Sequence, residues 1–278
     1  DIRELHPLEE AISRASYIIH AAAIVSYDPR HFKLMKAINI DGTANVVNIA
    51  ADYSIQKIVH ISSNSVFISP ERDRVITEEL DNMEGVQSTY YGVTKYLAEQ
   101  EVWRAHYEGQ NVVILNPSLI IGDGDWTQSS LQIFKRAYDG LPYYPKGGTA
   151  IVDIRDVADV TIRLLESDIN GQRYIISATD ISYFDLFDKM TTAMNKKPPS
   201  KPAPKWMLQI LWRYERIRSI LTNATPLITK ESIISTANFS KYNNSKSLSI
   251  PGFSYRNFKD TIKEFSEKYV KYRLENQD

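Results

Sequence analysis

The sequence from residue 17 to residue 115 contains three short apolar runs: YIIHAAA at 17–23, KIVHIS at 57–62 and NVVIL at 111–115. Runs of this length and composition are typical of buried parallel strands. Two helical segments separate them. Asp28 and Pro29 provide an N-cap and a first-turn proline for a helix that reaches about Tyr53, and a second helix is predicted from Ser88 to Glu108, ending at Gly109. The order strand, helix, strand, helix, strand predicts an α/β fold with a doubly wound parallel sheet, whose ligands bind at the carboxyl ends of the strands.

The pattern is looser after Pro117. Further elements are predicted as a helix near 129–139, a helix at 156–166, a strand at 173–177, a Pro-rich connector at 196–205, an amphipathic helix at 206–221 and a final amphipathic helix at about 257–273. We expect the final helix to pack against the outside of a domain with its apolar face.

Composition and charge argue against several kinds of partner and site. The 278 residues include 33 Lys and Arg against 34 Asp and Glu, for a net charge of −1, so we expect no nucleic-acid partner. Cysteine is absent and the five histidines lack metal-site spacing, so we expect no metal site. No apolar run approaches the roughly 18 residues of a membrane-spanning helix, and we expect a cytoplasmic protein without a membrane partner.

The segment YYGVTK at 90–95 carries the most informative side chains. Tyr91 and Lys95 are one helical turn apart and share a face, and an ammonium group beside a phenol lowers the phenol's pKa from about 10. Ser62 and Ser63 follow the second strand, where a hydroxyl can donate to a carbonyl oxygen of a substrate. Together these residues predict a carbonyl-reducing site. The alternative is that the Tyr and Lys spacing is accidental among 17 tyrosines and that the serines only cap the strand.

The order of these motifs resembles the extended short-chain dehydrogenase/reductase superfamily, which includes nucleotide-sugar epimerases, dihydroflavonol reductases and 3β-hydroxysteroid dehydrogenases. The similar segments are HAAA at 20–23, NIDGT at 39–43, SSNSV at 62–66, Tyr91 with Lys95, NPSL at 116–119 and IVDIRDVA at 151–158. In this last segment, Asp153 and Asp156 also suit an N-cap and a structural ion pair.

The resemblance implies the roles of individual residues. The implied catalytic residues are Ser63, Tyr91, Lys95 and Asn39. The implied contacts to NAD or NADP are Asp1, Ile2, Ala21, Ala22, Ala23, Ser62, Tyr91, Lys95, Asn116, Pro117, Ser118 and Leu119. It also implies a Rossmann-like NAD(P)-binding domain at 1–118 and 150–178, incomplete at its N-terminus, and a smaller substrate-binding region at 119–149 and 179–278.

The amino end departs from the family pattern. Family members begin with a strand and a glycine-rich turn, whereas this sequence has only 11 glycines, contains no G-x-G-x-x-G and opens on Asp1-Ile2-Arg3, which matches the Asp that ends the family's third strand. We therefore expect that roughly 50 to 65 residues of the family's amino end, about two β–α units, have no counterpart here. The residue that selects NAD or NADP belongs to that part.

The implied function is an NAD(P)-dependent oxidoreductase that interconverts a carbonyl and a secondary alcohol in a small-molecule substrate. The region from the Pro-rich connector through 226–231 is more similar to the dihydroflavonol reductase and hydroxysteroid dehydrogenase branch than to sugar epimerases. The alternatives are a nucleotide-sugar epimerase or dehydratase, for which Arg136, Lys146 and Arg155 are the candidate diphosphate ligands, and a non-catalytic dinucleotide-binding relative.

Further predictions concern a dimer interface, a basic helix and a set of aromatic residues. Family members often pair the helices that correspond to 28–53 and 88–108, so we expect a homodimer. The basic helix 206–221 suits either a cover over the substrate pocket or a contact with a membrane surface. Six aromatic residues suit either a pocket lining or the core: Tyr27, Trp126, Tyr143, Tyr144, Trp206 and Trp212.

Overall fold

The computed structural model describes residues 1–67, 75–80, 89–222, 224, 226 and 228–276. Its α-helices are α1 Leu5–Ile12, α2 Phe32–Met35, α3 Gly42–Ala51, α4 Tyr90–Tyr107, α5 Gln132–Asp139, α6 Ile154–Glu166, α7 Tyr183–Ala193, α8 Lys205–Thr222, α9 Lys230–Ala237, α10 Ser245–Leu248 and α11 Phe258–Glu275. Its strands are β1 Tyr17–His20, β2 Lys57–Ile61, β3 Val75–Ile76, β4 Val112–Pro117, β5 Leu119–Ile121, β6 Tyr143–Tyr144, β7 Gly148–Asp153, β8 Gln172–Ile176, β9 Thr179–Ser182, β10 Lys201–Pro202 and β11 Lys241–Tyr242.

The central sheet confirms the predicted α/β fold. Its strands lie in the order β1-β2-β4-β8, and every neighbouring pair is parallel. All six residues of β4 are buried, as are the first four of β2, because helices cover both faces of this sheet. β4 extends two residues beyond the predicted run and therefore includes Asn116.

Helices pack on both faces of the central sheet. On one face, α3 and α4 contribute Val47 and Val102 to a cluster with Ile58 and Ile114 of the sheet. On the other face, α6 contributes Val160 and Leu164 to a cluster that contains Val59, Val113 and Leu115. Alternate residues of β2 and β4 thus point to opposite layers, which is the doubly wound arrangement.

A second core lies around the three-stranded sheet β5-β7-β9, in which β7 and β9 are antiparallel. Phe134 of α5 and Leu186 of α7 are fully buried there. α11, the predicted final helix, buries Phe265 and Tyr269 in this core and leaves Lys263 exposed.

The long helix predicted over residues 28–53 is interrupted, which corrects the sequence prediction. Asp28 caps its start as expected, accepting from the backbone of Arg30 (3.0 Å), but a 3₁₀ turn, the short α2 and a π-helical turn over Lys36–Asp41 precede α3. The Thr43 hydroxyl donates to the carbonyl oxygen of Asn39 (2.6 Å), and such a side chain inserted into the helical ladder disturbs its regular spacing. The π turn carries Asn39 itself, and π turns of this kind often mark functional sites.

The second predicted helix is present as α4, which begins at Tyr90 with Thr89 as its N-cap. Its predicted first residue, Ser88, lies outside the described residues. Among the helices that the structure describes, none is both long enough and apolar enough to span a bilayer.

Candidate active site

The candidate site lies where the carboxyl ends of β1, β2 and β4 meet. Ser62 and Ser63 follow β2, and Asn116 closes β4 beside them, donating from Nδ2 to the Ser63 carbonyl oxygen (3.2 Å). α4 runs across this edge and presents Tyr91 and Lys95. Parallel strands place their carboxyl ends at one edge, so residues more than 50 positions apart in sequence converge here.

Tyr91 and Ser63 are brought together. The Tyr91 side chain is 9% exposed, and the Ser63 side chain lies close enough to influence its hydroxyl. Burial raises the pKa of Tyr91 to about 12, and the neighbouring Ser63 opposes this shift. Ser63 Oγ also accepts from the backbone N–H of Ser65 (3.1 Å) and from its hydroxyl (2.9 Å), which holds Ser63 in place.

Lys95 is buried one turn further along α4. It is 1% exposed, and its Nζ donates to the Ile61 carbonyl oxygen (2.8 Å) at the end of β2. Burial lowers the pKa of Lys95 to about 8. The sequence predicted that Lys95 lowers the pKa of Tyr91. The structure corrects this direction, because burial dominates and the Tyr91 pKa is raised.

Glu99 is a site residue that the sequence analysis missed. It lies one turn after Lys95 on α4 and is fully buried. Its Oε1 accepts from Asn116 Nδ2 (2.6 Å), and its Oε2 lies 3.6 Å from an Arg173 guanidinium nitrogen. Burial raises the pKa of Glu99, opposed by the neighbouring Ser62, by the hydrogen bond from Asn116 and by the cations of Arg173 and Lys95. The i,i+4 spacing from Lys95 was the available signal.

Asn39 holds the loop after β1 against α4. Its Oδ1 accepts from the Ile24 N–H (2.8 Å), while Nδ2 donates to the Ile24 carbonyl oxygen (3.0 Å) and to the Thr94 hydroxyl (3.0 Å). Thr94 immediately precedes Lys95 on α4. These bonds position the helix that carries Lys95, and they do not bring Asn39 into contact with Tyr91.

Two histidines that are distant in sequence face each other behind the site. His20 and His60 are register partners on β1 and β2, and their rings lie 5.0 Å apart. His20 Nε2 is 2.9 Å from the Thr43 hydroxyl. Burial and the nearby Lys95 lower the pKa of His20 to about 4 and lower that of His60 as well, so both rings are neutral near pH 7.

Several predicted cofactor contacts converge on one cleft of about 480 Å³, which is lined by Asp1, Ile2, Pro7, Leu8, Ala11, Ala22, Ala23, Ile24 and Ile38. Ala21 is exposed beside it, and methyl side chains there leave room for close approach of a ligand.

At the end of β4, Asn116 Oδ1 and Ser118 Oγ are buried and have no hydrogen-bond partner among the described residues. Pro117 is buried between them and Leu119 is half-buried. An unpaired amide oxygen and hydroxyl suit a ligand with amide and hydroxyl groups, so these residues fit a dinucleotide.

Charged residues near the site have structural partners. Arg155 is bound to Asp153 (2.6 Å) and Glu264 (2.9 Å), and Asp156 forms an ion pair with Arg256. Asp153 also caps α6. The Arg155 guanidinium therefore forms ion pairs within the protein, which disfavours it as a ligand of a diphosphate. In the described parts of the chain, no group of three or more His, Asp or Glu residues is arranged for a metal ion.

The aromatic residues named in the sequence analysis lie in different environments. Trp126 is in the second core, 5.1 Å from Phe134 between ring centroids, whereas Trp206 is 67% exposed. Tyr27 interacts electrostatically with Tyr91, and Ser235 of α9 lies close enough to influence the Tyr27 hydroxyl. The other members are peripheral to Tyr91: Tyr143 and Tyr144 form β6, and Trp212 is half-buried on α8.

Part of the carboxyl-terminal region lies over the site. Glu231 of α9 accepts from the Tyr90 N–H (3.1 Å), directly beside Tyr91. Tyr183, at the start of α7, also interacts electrostatically with Tyr27. Tyr27 thus interacts both with Tyr91 and with a residue from the second half of the chain.

Comparison with known proteins agrees with the motif order. The profile of the family described as "NAD dependent epimerase/dehydratase family" matches residues 1–177. Cinnamoyl-CoA reductase 1 of Petunia hybrida is 30% identical over 216 residues, which cover 73% of this chain and 62% of that protein. A putative dihydroflavonol 4-reductase of Synechocystis is 25% identical over 263 residues, covering 92% and 76%. The chain thus spans about three fifths of the petunia relative's length.

Solved structures show the same fold. The crystal structure of gox2253 superposes with a TM-score of 0.78 at 23% identity, covering 100% of this chain and 84% of that one. UDP-glucuronic acid 4-epimerase from Bacillus cereus, in complex with NAD, has a TM-score of 0.74 at 18% identity, covering 98% and 79%.

Proposed function

This chain belongs to the NAD dependent epimerase/dehydratase family, and on that basis we propose that it is the catalytic and substrate-binding part of an NAD(P)-dependent reductase or dehydrogenase that interconverts a carbonyl and a secondary alcohol. The observation that carries the proposal is the convergence of three side chains: Ser63 follows β2, Tyr91 is buried on α4, and Lys95 donates from α4 to the Ile61 carbonyl oxygen at the end of β2 (2.8 Å). Both relatives described above are named as reductases, which supports this class of reaction.

The proposed roles follow from the geometry. Tyr91 transfers the proton to or from the substrate oxygen, and Ser63 donates a hydrogen bond to that oxygen. Lys95 supplies positive charge on the same helical face. Asn39 and Glu99 position α4 and the end of β4. A bound NAD(P) supplies the hydride chemistry, and the residues that would hold it are Asp1, Ile2, Ala21, Ala22, Ala23, Ser62, Asn116, Pro117, Ser118 and Leu119.

The raised pKa of Tyr91 bears on the direction of proton transfer. A phenol with a pKa of about 12 is protonated at neutral pH, and the protonated form is the one that donates to a carbonyl oxygen during reduction. A positive charge brought close to the phenol lowers the pKa of Tyr91. Proton transfer between Tyr91 and the substrate then proceeds more easily in the direction of alcohol oxidation. In its protonated state Tyr91 therefore carries the proton that carbonyl reduction consumes.

The substrate class is proposed from the surroundings of Tyr91. Tyr27 interacts with Tyr91, Tyr183 interacts with Tyr27, and aromatic rings near the site suit a substrate with an aromatic or alicyclic carbonyl. Arg155, one of the candidate ligands for a sugar nucleotide, is held by Asp153 and Glu264. This favours the reductase branch over a nucleotide-sugar epimerase.

The organisation of the protein is part of the proposal. We keep the division into an NAD(P)-binding domain at 1–118 and 150–178 and a substrate-binding region at 119–149 and 179–278, together with a cytoplasmic location and a homodimer formed through the helices of residues 28–53 and 88–108. Light scattering at micromolar concentration tests the dimer, and a monomer mass would contradict it.

The proposed function is tested on the protein with whatever native sequence precedes residue 1. Fluorescence titration with NADH and NADPH measures binding and identifies the preferred cofactor. Loss of NAD(P)H absorbance then reports reduction of a panel of aromatic and alicyclic ketones and aldehydes. Turnover that depends on Tyr91 supports the proposal. Binding of neither cofactor, or binding without turnover of any carbonyl, would favour the non-catalytic relative.

A further inference from the structure

α8 exposes its apolar residues and buries polar ones. Six large apolar or aromatic side chains are between 59% and 80% exposed: Trp206, Ile210, Tyr214, Ile217, Ile220 and Leu221. In contrast, Glu215 and Ser219 of the same helix are only 5% and 4% exposed. A helix on the surface of a water-soluble domain normally has the opposite arrangement.

The exposed side chains form one continuous stripe, called here the α8 stripe. At 3.6 residues per turn, their positions fall within an arc of about 120° around the helix axis. They extend from Trp206 near the first turn to Leu221 near the last of this 18-residue helix, which is about 27 Å long. A stripe of this length is larger than the scattered apolar residues found on most surfaces.

Basic residues accompany the α8 stripe. Lys205 and Arg216 border it on one side, Arg213 lies within it, and all three are exposed. Between residues 196 and 222 there are seven Lys and Arg against a single acidic residue, Glu215, in a chain whose net charge is −1. Glu215 lies on the inner face, where it is paired with Arg218 (2.8 Å). The outward face of this segment is therefore locally cationic.

The inner face of α8 is attached close to the candidate active site. Arg30 donates to the carbonyl oxygens of Ser219 (3.3 Å) and Ala224 (2.9 Å), and its guanidinium is also bound to Asp28 (2.7 Å). Asp28 follows Tyr27, the residue that interacts with Tyr91. These bonds hold the helix so that its apolar stripe faces away from the protein.

We propose that α8 is an interfacial helix that docks this protein onto an anionic lipid bilayer. The α8 stripe enters the boundary between headgroups and acyl chains, while Lys205, Arg213 and Arg216 contact lipid phosphates and carboxylates. Charge complementarity selects this occupant, because an apolar stripe with a cationic border matches a surface that is apolar below and anionic above. The proposal goes beyond the enzymatic function and replaces the sequence-based expectation of a protein without a membrane partner.

Vesicle sedimentation tests the proposal with the full chain. We expect the protein to pellet with vesicles of phosphatidylcholine mixed with phosphatidylserine and to pellet much less with phosphatidylcholine alone. The double variant Arg213→Gln/Arg216→Gln removes two charges near the surface and is expected to weaken binding about 30-fold. The double variant Ile210→Asn/Ile217→Asn removes apolar contact and should leave little pelleting with either vesicle.

Matched controls separate docking from damage to the fold. Leu274→Asn changes an apolar residue of α11 that is 64% exposed, and it should pellet like the unchanged protein. Far-UV circular dichroism should show unchanged helix content in every variant, because the altered side chains are exposed.

Three results would overturn the proposal. The first is that the folded protein pellets with neither kind of vesicle. The second is equal binding to both kinds, which would show that anionic lipid is not recognised. The third is a dimer that Ile210→Asn/Ile217→Asn converts to a monomer in light scattering without any vesicle binding, because the stripe would then be an interface between two copies of this chain.

Discussion

α4 and α8 are both 18-residue helices, and both depart from the usual distribution of polar and apolar side chains. α4 buries the charged residues Lys95 and Glu99, whereas α8 exposes apolar residues such as Ile210 and Ile217. The two helices differ in whether contacts within the protein offset the unfavourable placement of these side chains. The charges of α4 bond to Ile61, Asn116 and their neighbours within the protein, while the α8 stripe faces outward.

This comparison shows two ways in which a sequence can place residues against their ordinary preference. A buried charge persists only with bonds that offset its desolvation, and such bonds recur where a site needs fixed chemistry. An exposed apolar stripe has no such internal compensation, and it is retained where another surface covers it. Substitutions on α4 are therefore expected to disturb catalysis and stability, whereas substitutions on α8 are expected to disturb contact with another surface.

The largest expected effect is on the chemistry of α4. Tyr91→Phe removes the proton donor while keeping the ring, and it should lower kcat for carbonyl reduction by about 10²- to 10⁴-fold. Tyr90→Phe is the matched control, because Tyr90 is adjacent to Tyr91, is 40% exposed and packs its ring against that of Phe32 in a tilted geometry. Steady-state kinetics with NADPH or NADH measures both, and equal activity of the two variants would refute the role of Tyr91.

The next effect concerns the buried carboxylate. Glu99→Ala removes the buried carboxylate that faces the Arg173 cation and accepts from the Asn116 amide, so it should lower the free energy of unfolding by about 3–5 kcal/mol. Urea denaturation measures this change. Glu101→Ala, which removes an exposed pair with Arg104, should cost at most about 1 kcal/mol. If Glu99→Ala cost no more than Glu101→Ala, the cluster behind Lys95 would not be a stabilising network.

A smaller effect is expected from pH. Burial lowers the pKa of His20 from its ordinary value of 6.5 to about 4 in the folded protein, so the unfolded chain binds more protons between these values. The stability that His20 contributes is present above pH 6.5 and is lost as the pH falls towards 4, with a slope of at most roughly 1.4 kcal/mol per pH unit. His20→Asn should reduce the slope of unfolding free energy against pH, and an unchanged slope would contradict the buried neutral ring.

The smallest effect is expected on α8 in water. Ile217→Ala, at a site that is 59% exposed, should change the free energy of unfolding by no more than about 0.5 kcal/mol. Val102→Ala on α4 removes a fully buried side chain and should cost about 2 kcal/mol. Thermal or urea unfolding without lipid measures both. A large cost for Ile217→Ala would mean that the α8 stripe packs within the protein.

Much of the fold follows from local sequence. The apolar runs at 57–62 and 111–115 predict β2 and β4 because a strand covered on both faces needs apolar side chains at successive positions. The run at 17–23 also contains a strand, but β1 ends at His20 and exposes Tyr17 and Ile19, so the prediction of a buried strand is wrong there. Asp28 with Pro29 predicts the start of a helix because both residues satisfy its first turn locally. The spacing of Tyr91 and Lys95 likewise follows from the helical repeat.

Other properties depend on segments that are far apart in sequence. The meeting of Glu99 with Asn116 and Arg173, and the facing rings of His20 and His60, require the register of neighbouring strands. The π turn at Lys36–Asp41 carries Asn39, whose side chain bonds to Ile24 and, 55 positions away in sequence, to Thr94 of α4.

The sequence by itself determined which residue types lie at the carboxyl edge of the sheet and that residues 206–221 form an amphipathic helix. Only the tertiary structure decided that the Tyr91 pKa rises and that α8 turns its apolar face outward. The physical reason is the same in both cases. Periodicity and capping act between neighbours along the chain, whereas burial and its electrostatic consequences are set by all the segments that surround a side chain in space.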